Sequence, residues 1–257
     1  MIILDKKEYC KNILKEKGRK ITKSDIVLLS RYFFSLNYDE VQVYKKLKKY
    51  ILSNVKEYNS KIYDDYIDRA IIVGKFFKLE DNLKIVITKK ELDSILFIKD
   101  FDTQKFMFSM LVLAKYFKYG NNRISKSDYD GLYCKCSFKD IKEIAKINAS
   151  VKKMREMCHE LFKIGYIIPS LLGGWRIMIE DTESNDETEN YYIVPDNDMI
   201  YFLYSFKGLG RKIYQCSCCG KWKKGKTSWE KTCDSCNKEK SLERVRNFRM
   251  KQNKTEE

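Results

Sequence analysis

Cys216, Cys219, Cys233 and Cys236 form two Cys-x-x-Cys pairs, with thirteen residues between Cys219 and Cys233. Each pair puts two sulfurs on one face of a tight turn. Two such turns brought together make the four-thiolate tetrahedron that zinc accepts, which is the sequence form of a zinc ribbon. Gly220 follows the first pair, where a backbone N–H must fold back toward sulfur and a side chain would obstruct it. Asn237 follows the second pair, where a left-handed conformation is expected. Four protein thiolates leave no open position for water or substrate, so the expected zinc is structural. Disulfides and a thiol redox pair are the alternatives. Cys218 lies outside the paired spacing and reads as a free thiol, or as one that supports a ligand.

Between the pairs lie Trp222, Lys223, Lys224, Lys226, Trp229 and Lys231. Lysines interleaved with tryptophans suit phosphate contact and base stacking. The plainer reading is that the tryptophans cover the metal site. Beyond them, Leu242, Val245 and Phe248 recur every third residue and predict a helix with a thin apolar stripe. Arg244, Arg246, Arg249 and Lys251 occupy much of its remaining surface. Such a helix suits a phosphate backbone, or else remains a solvated basic tail.

The elements that must position these groups read as mainly α with small β, an α+β class in three parts. Residues 1–85 read as a helical bundle. Thr22 to Asp25 and Asn37 to Glu40 have the form of capping boxes, and Val41, Tyr44, Leu47 and Ile51 are spaced to face a core. Another helix runs from about Tyr63 to Phe77. Residues 86–208 begin with a third capping box, Thr88 to Glu91. The helix from Thr103 to Phe117 is apolar on most sides and should be buried. Ser137 caps the next helix. After a break at 148–150 comes a third, with Val151, Met154, Cys158, Leu161 and Phe162 inward. Its outward Lys152, Lys153 and Arg155 lie at the N-terminal end. A hairpin follows, from Tyr166 through a turn at 172–175 to Ile179, and then an acidic loop, a strand at Tyr191–Val194 and an apolar helix at 199–206. This order predicts a winged helix-turn-helix, with the third helix as the recognition helix. A hinge at 207–212 leads into residues 209–257, the zinc ribbon and basic helix.

The remaining chemistry-bearing residues carry less. Cys158 and His159 are neighbours on a helix and point in different directions, so they make no dyad. Cys134 and Cys136 share a side of a strand but lack a second pair. No paired-carboxylate motif, nucleophile elbow, Walker lysine or His-Glu-x-x-His sequence is present, so an enzyme is not expected.

The net charge is +15 over 257 residues. Residues 1–100 carry +7, residues 101–210 balance, and residues 211–257 carry +8. Four thiolates around a divalent metal lower the last figure to about +6. Such a balance points first to nucleic acid and second to an acidic protein surface. No apolar run is long enough to span a membrane, and the first residues lack a signal peptide's apolar region. The cysteine usage fits a reducing cytoplasm.

Several stretches carry a family resemblance. They are Ile87-Thr-Lys-Lys-Glu-Leu92, Leu113-Ala-Lys-Tyr-Phe117, Phe138-Lys-Asp-Ile141, His159-Glu-Leu-Phe-Lys-Ile-Gly-Tyr-Ile167 and Cys216-x-x-Cys219-Gly-Lys221. In this order the chain resembles phage- and mobile-element-associated proteins of low-GC Gram-positive bacteria that carry a winged-helix-like domain and a C-terminal zinc ribbon. The likeness covers most of residues 80–257. It implies a bacterial or phage cytoplasmic setting and brings no catalytic residues.

These readings converge on a non-enzymatic nucleic-acid-binding protein, a regulator or a replication accessory factor. DNA is favoured over RNA, and no small-molecule substrate is expected. Lys152, Lys153, Arg155, Lys223, Lys224, Arg244, Arg246 and Arg249 are the expected nucleic-acid contacts. The alternative is a protein-binding factor that blocks or recruits a host machine such as a polymerase or a defence complex.

Overall fold

The structure is a computed structural model that describes residues 2–77, 79, 83–120, 131–171, 173–179, 190–207, 212–227 and 229–255, with side chains excluded at 120 and from 248 onward. The acidic loop at 180–189 and most of the hinge lie outside the described residues. The chain is mainly helical with small sheets. It divides into two compact units, 1–81 and 82–257. The segment expected as a third part therefore sits inside the second unit.

The first unit holds α1 (Lys6–Ile13), α2 (Lys23–Ser35), α3 (Glu40–Asn54) and α4 (Ser60–Phe76). Thr22 and Asp25 form the capping box that starts α2. The second box is shifted. Asn37 takes a left-handed conformation at φ 62° as the chain leaves α2. The cap of α3 therefore falls to Asp39, whose side chain accepts from Gln42 N at 2.8 Å. The inward face of α3 is Val43, Leu47, Tyr50 and Ile51, while Val41 is exposed. Helices α2 and α4 approach closely at Gly74, where a Cβ would lie 2.3 Å from Ser30 Oγ.

The second unit begins with β1 (Ile85–Thr88), α5 (Lys89–Phe97) and α6 (Phe101–Gly120). Phe106 to Ala114 are buried almost without break, so α6 is the core of this unit. Each large apolar side chain buried there contributes about 1.5–3 kcal/mol. Lys115, near the end of α6, is also buried. Its Nζ lies 2.8 Å from Glu91 and 2.8 Å from Val86 O. Glu91 in turn accepts from Thr88 N at 2.9 Å, completing the capping box of α5. One carboxylate thus caps a helix and neutralises a buried cation.

Next come β2 (Leu132–Cys134), α7 (Phe138–Ala145), α8 (Val151–Lys163), β3 (Ile167–Pro169) and β4 (Trp175–Ile177). The three strands form one antiparallel sheet in the order β2-β4-β3, with Leu132 and Ile167 both facing Ile177. Helix α7 ends with Lys146 left-handed at φ 50°, and Ser150 caps α8 by accepting from Lys153 N. Met154, Met157, Cys158 and Leu161 form the buried face of α8. Val151 and Phe162, expected inside, are 57% and 47% exposed. The core seam of α8 is narrow, and both residues fall just outside it.

The strand β5 (Asn190–Ile193) does not extend this sheet; it pairs antiparallel with β1. A short helix α9 (Tyr201–Phe206) follows, then β6 (Ile213–Gln215), β7 (Trp222–Lys224) and the long α10 (Asp234–Thr255). No described helix is long and apolar enough to cross a membrane.

Candidate metal centre and cationic surface

The hairpin of β6 and β7 delivers the first cysteine pair. Cys216 follows β6 directly, and its N–H donates to Lys221 O at 2.9 Å to close the turn. Gly220 makes the turn possible with φ 69°. Its N–H donates to Cys216 O at 2.8 Å, not to sulfur as the sequence suggested. An N–H that does reach sulfur is that of Cys233, 3.3 Å from Cys216 Sγ. The second pair straddles the start of α10. Asn237 is helical there, donating to Cys233 O at 2.9 Å, so the left-handed expectation fails. The helix begins at the second pair itself and leaves no turn for Asn237 to close.

The four Sγ atoms of Cys216, Cys219, Cys233 and Cys236 lie within 4.8 Å of one another. Cys219 and Cys233 are 3.8 Å apart. A tetrahedron of metal–sulfur bonds of about 2.3 Å requires sulfur–sulfur distances of about 3.8 Å, so the arrangement fits a metal ion. A four-thiolate set suits zinc or iron. Burial pushes the Cys216 thiol up, but the N–H groups of Cys233, Cys219 and Cys218 outweigh it and bring it down to about 6. Burial pushes Cys219 up to about 11. Cys218 is exposed and outside the group, and its nearness raises the pKa of Lys240.

The lysines of β7 part ways. Lys223 is not available for phosphate. Its Nζ donates to Asp196 Oδ2 at 2.6 Å and to Asp198 Oδ2 at 2.7 Å. Burial opposes its charge, but the two acids outweigh it and raise its pKa. Burial wins at Asp196, whose carboxyl sits above its ordinary value. Asp198 also receives Lys146, the residue that closes α7, and the Lys146 ammonium lies 4.2 Å from the Tyr201 ring centre. This chain of charges joins the metal segment to the α7–α8 turn. Nothing in sequence spacing signals it, because the two acids and two lysines come from three separate segments. Lys224, by contrast, is exposed.

Lys152, Lys153 and Arg155 are exposed on the first turns of α8, with Lys153 Nζ 3.7 Å from Glu156. Arg244 and Arg246 are exposed on α10, beside exposed Leu242 and Val245. The side chains of Phe248 and Arg249 lie outside the described residues. Cys158 is buried and His159 exposed, as expected for neighbours on a helix. No protein-family model, curated protein or solved structure matches this chain.

Proposed function

We propose that this protein binds nucleic acid without catalysis, using α8 as a recognition helix and the exposed basic face of α10 for phosphate contacts. The observation that carries the reading is the exposure of Lys152, Lys153 and Arg155 at the start of α8. That helix follows α7 across a short turn, and the order α6-β2-α7-α8-β3-β4 with sheet order β2-β4-β3 supports a winged helix-turn-helix. In that fold the N-terminal residues of the second helix of the motif meet base edges and phosphates. The metal of the four cysteines is zinc in this proposal, structural because the thiolates fill its coordination sphere. It supplies rigidity to a segment with little apolar core of its own. The resemblance of residues 80–257 to mobile-element proteins motivates a role as regulator or replication accessory factor in a bacterial cytoplasm, with DNA preferred.

The test is a titration of labelled duplex DNA with the full-length zinc-loaded chain at two salt concentrations. Affinity should fall steeply with salt, and the triple change of Lys152, Lys153 and Arg155 to Ala should weaken binding. Equal binding by parent and variant overturns the docking of α8. Exposed Ile72 and Phe76 on α4 favour a second reading, a protein-binding factor that blocks or recruits a host machine. That reading takes over if no nucleic acid binds at low salt.

A further inference from the structure

The two tryptophans between the cysteine pairs occupy opposite environments. Trp222 packs edge-on against Phe202, with ring centres 5.6 Å apart, and its indole nitrogen is buried. Trp229 is 88% exposed. Holding an indole in water forgoes the burial that a side chain of this size normally contributes.

The loop that carries Trp229 is built to hold it there. Glu230 Oε1 accepts from Lys226 N at 3.1 Å and from Thr227 N at 3.2 Å. Gly225 leaves room for that carboxylate, since a Cβ would lie 2.8 Å from Glu230 Oε2. Gly225 N donates to Lys212 O at 2.6 Å. On the far side, Ser217 N donates to Lys231 O at 2.9 Å and Tyr214 Oη to Thr232 O at 3.3 Å. Three exposed lysines surround the indole in sequence: Lys224, Lys226 and Lys231. Among the described residues none of the three forms an ion pair, whereas Lys223 does.

We propose that Trp229 stacks on an unpaired base of a single-stranded nucleic acid, with Lys224, Lys226 and Lys231 meeting the adjoining phosphates. The proposal rests on the nucleic-acid reading above and adds the substrate class. Bases inside a duplex are covered on both faces by their neighbours, so an exposed indole stacks only on a base that is free of them. The lysines select a polyanion over an apolar protein surface.

The test uses the full-length zinc-loaded chain with thymidine single strands of about 12 nucleotides, uridine strands of equal length, and a duplex of two fully complementary strands. Binding is followed by anisotropy of the labelled strand and by tryptophan emission. Metal content and thermal unfolding confirm that Trp229→Ala and Trp229→Phe fold like the parent. Single strands should quench the emission of the parent. Trp229→Ala should lose at least about fivefold in single-strand affinity, and Trp229→Phe should regain part of it. Duplex affinity should stay unchanged. Single-strand affinity equal to the parent's in Trp229→Ala, or undiminished quenching in Trp229→Phe, overturns the stacking while duplex binding keeps the broader reading. Failure of every form to bind overturns both. The two single strands separate DNA from RNA.

Discussion

Lys223 Nζ lies 2.6 Å from Asp196 Oδ2, and this bond fastens the strand after the first cysteine pair to the segment preceding α9. Asp196 is only 3% exposed, so removing its cation leaves a buried charge without compensation. Lys223→Ala should cost about 3 kcal/mol in urea unfolding. A second change, Asp196→Asn, should recover part of that loss. Lys224→Ala, at an exposed site one residue away, should stay within about 0.5 kcal/mol of the parent. Equal effects at the two lysines would show that the pair does not anchor the hairpin.

The metal centre gives a sharper contrast. Cys216→Ser, Cys219→Ser, Cys233→Ser and Cys236→Ser should each lose most of the metal that the parent retains, measured by elemental analysis after dialysis. Cys218→Ser should retain about one metal ion per chain, since Cys218 stands outside the four-sulfur group. Chelation should lower the melting temperature of the parent, because metal binding to the folded form contributes directly to stability.

Buried Lys115 and Glu91 predict a second asymmetry. Their side chains are 2% and 0% exposed. Lys115→Met alone should destabilise by about 3–5 kcal/mol, because Glu91 is left charged and buried. Lys115→Met with Glu91→Gln should be milder, since a neutral side chain still reaches the N-cap of α5. Calorimetry of the parent and the two variants checks the order.

Salt dependence separates the two cationic helices. A deletion from residue 211 would remove Lys223 and leave Asp196 without that cation. A cut after Ser241 keeps all four cysteines and removes a stretch of α10 that is exposed from residue 242 to 247. The shortened chain lacks Arg244, Arg246, Arg249, Lys251 and Lys254, and its salt slope for duplex binding should shrink by up to about 4.5. Its sequence preference should persist. Changing Lys152, Lys153 and Arg155 to Ala should instead reduce preference between duplex sequences in a competition assay.

Asp25 predicts an acid response of the first unit. Burial works against its charge, yet hydrogen bonds from Tyr9 at 2.6 Å and from Thr22 outweigh it and set the carboxyl below its ordinary 3.8. A depressed folded-state pKa contributes stability above the unfolded value and loses it as pH falls through the folded one. Stability should therefore drop below about pH 4. Asp25→Asn should be less stable at pH 7 and show a flatter profile from pH 4 downward. Circular dichroism during acid titration measures both.

Capping was the most legible layer of the fold. Thr22 with Asp25, Thr88 with Glu91, and Ser137 all act within one helical turn, so their partners are visible a few residues away. The failures were local too. At Asn37 the backbone turned left-handed, and the cap moved on to Asp39. The pairing of β5 with β1 was hidden, because strand partners are chosen by the packing of the intervening helices. The expected core residues Val151 and Phe162 show how narrow the buried seam of a short helix is.

The sequence by itself determined which cysteines gather and where most helices begin, because a Cys-x-x-Cys turn and a capping box are closed by residues a few positions apart. It also determined the cationic balance of the C-terminal segment. Only the tertiary structure decided which of those cations are free. Lys223 and Lys224 are adjacent, but the strand directs one toward Asp196 and Asp198 and the other toward solvent. Likewise one tryptophan packs half-buried against Phe202 and the other stands in water. The fate of a charge or a ring depends on what distant segments bring to it, and that is set by packing, not by spacing.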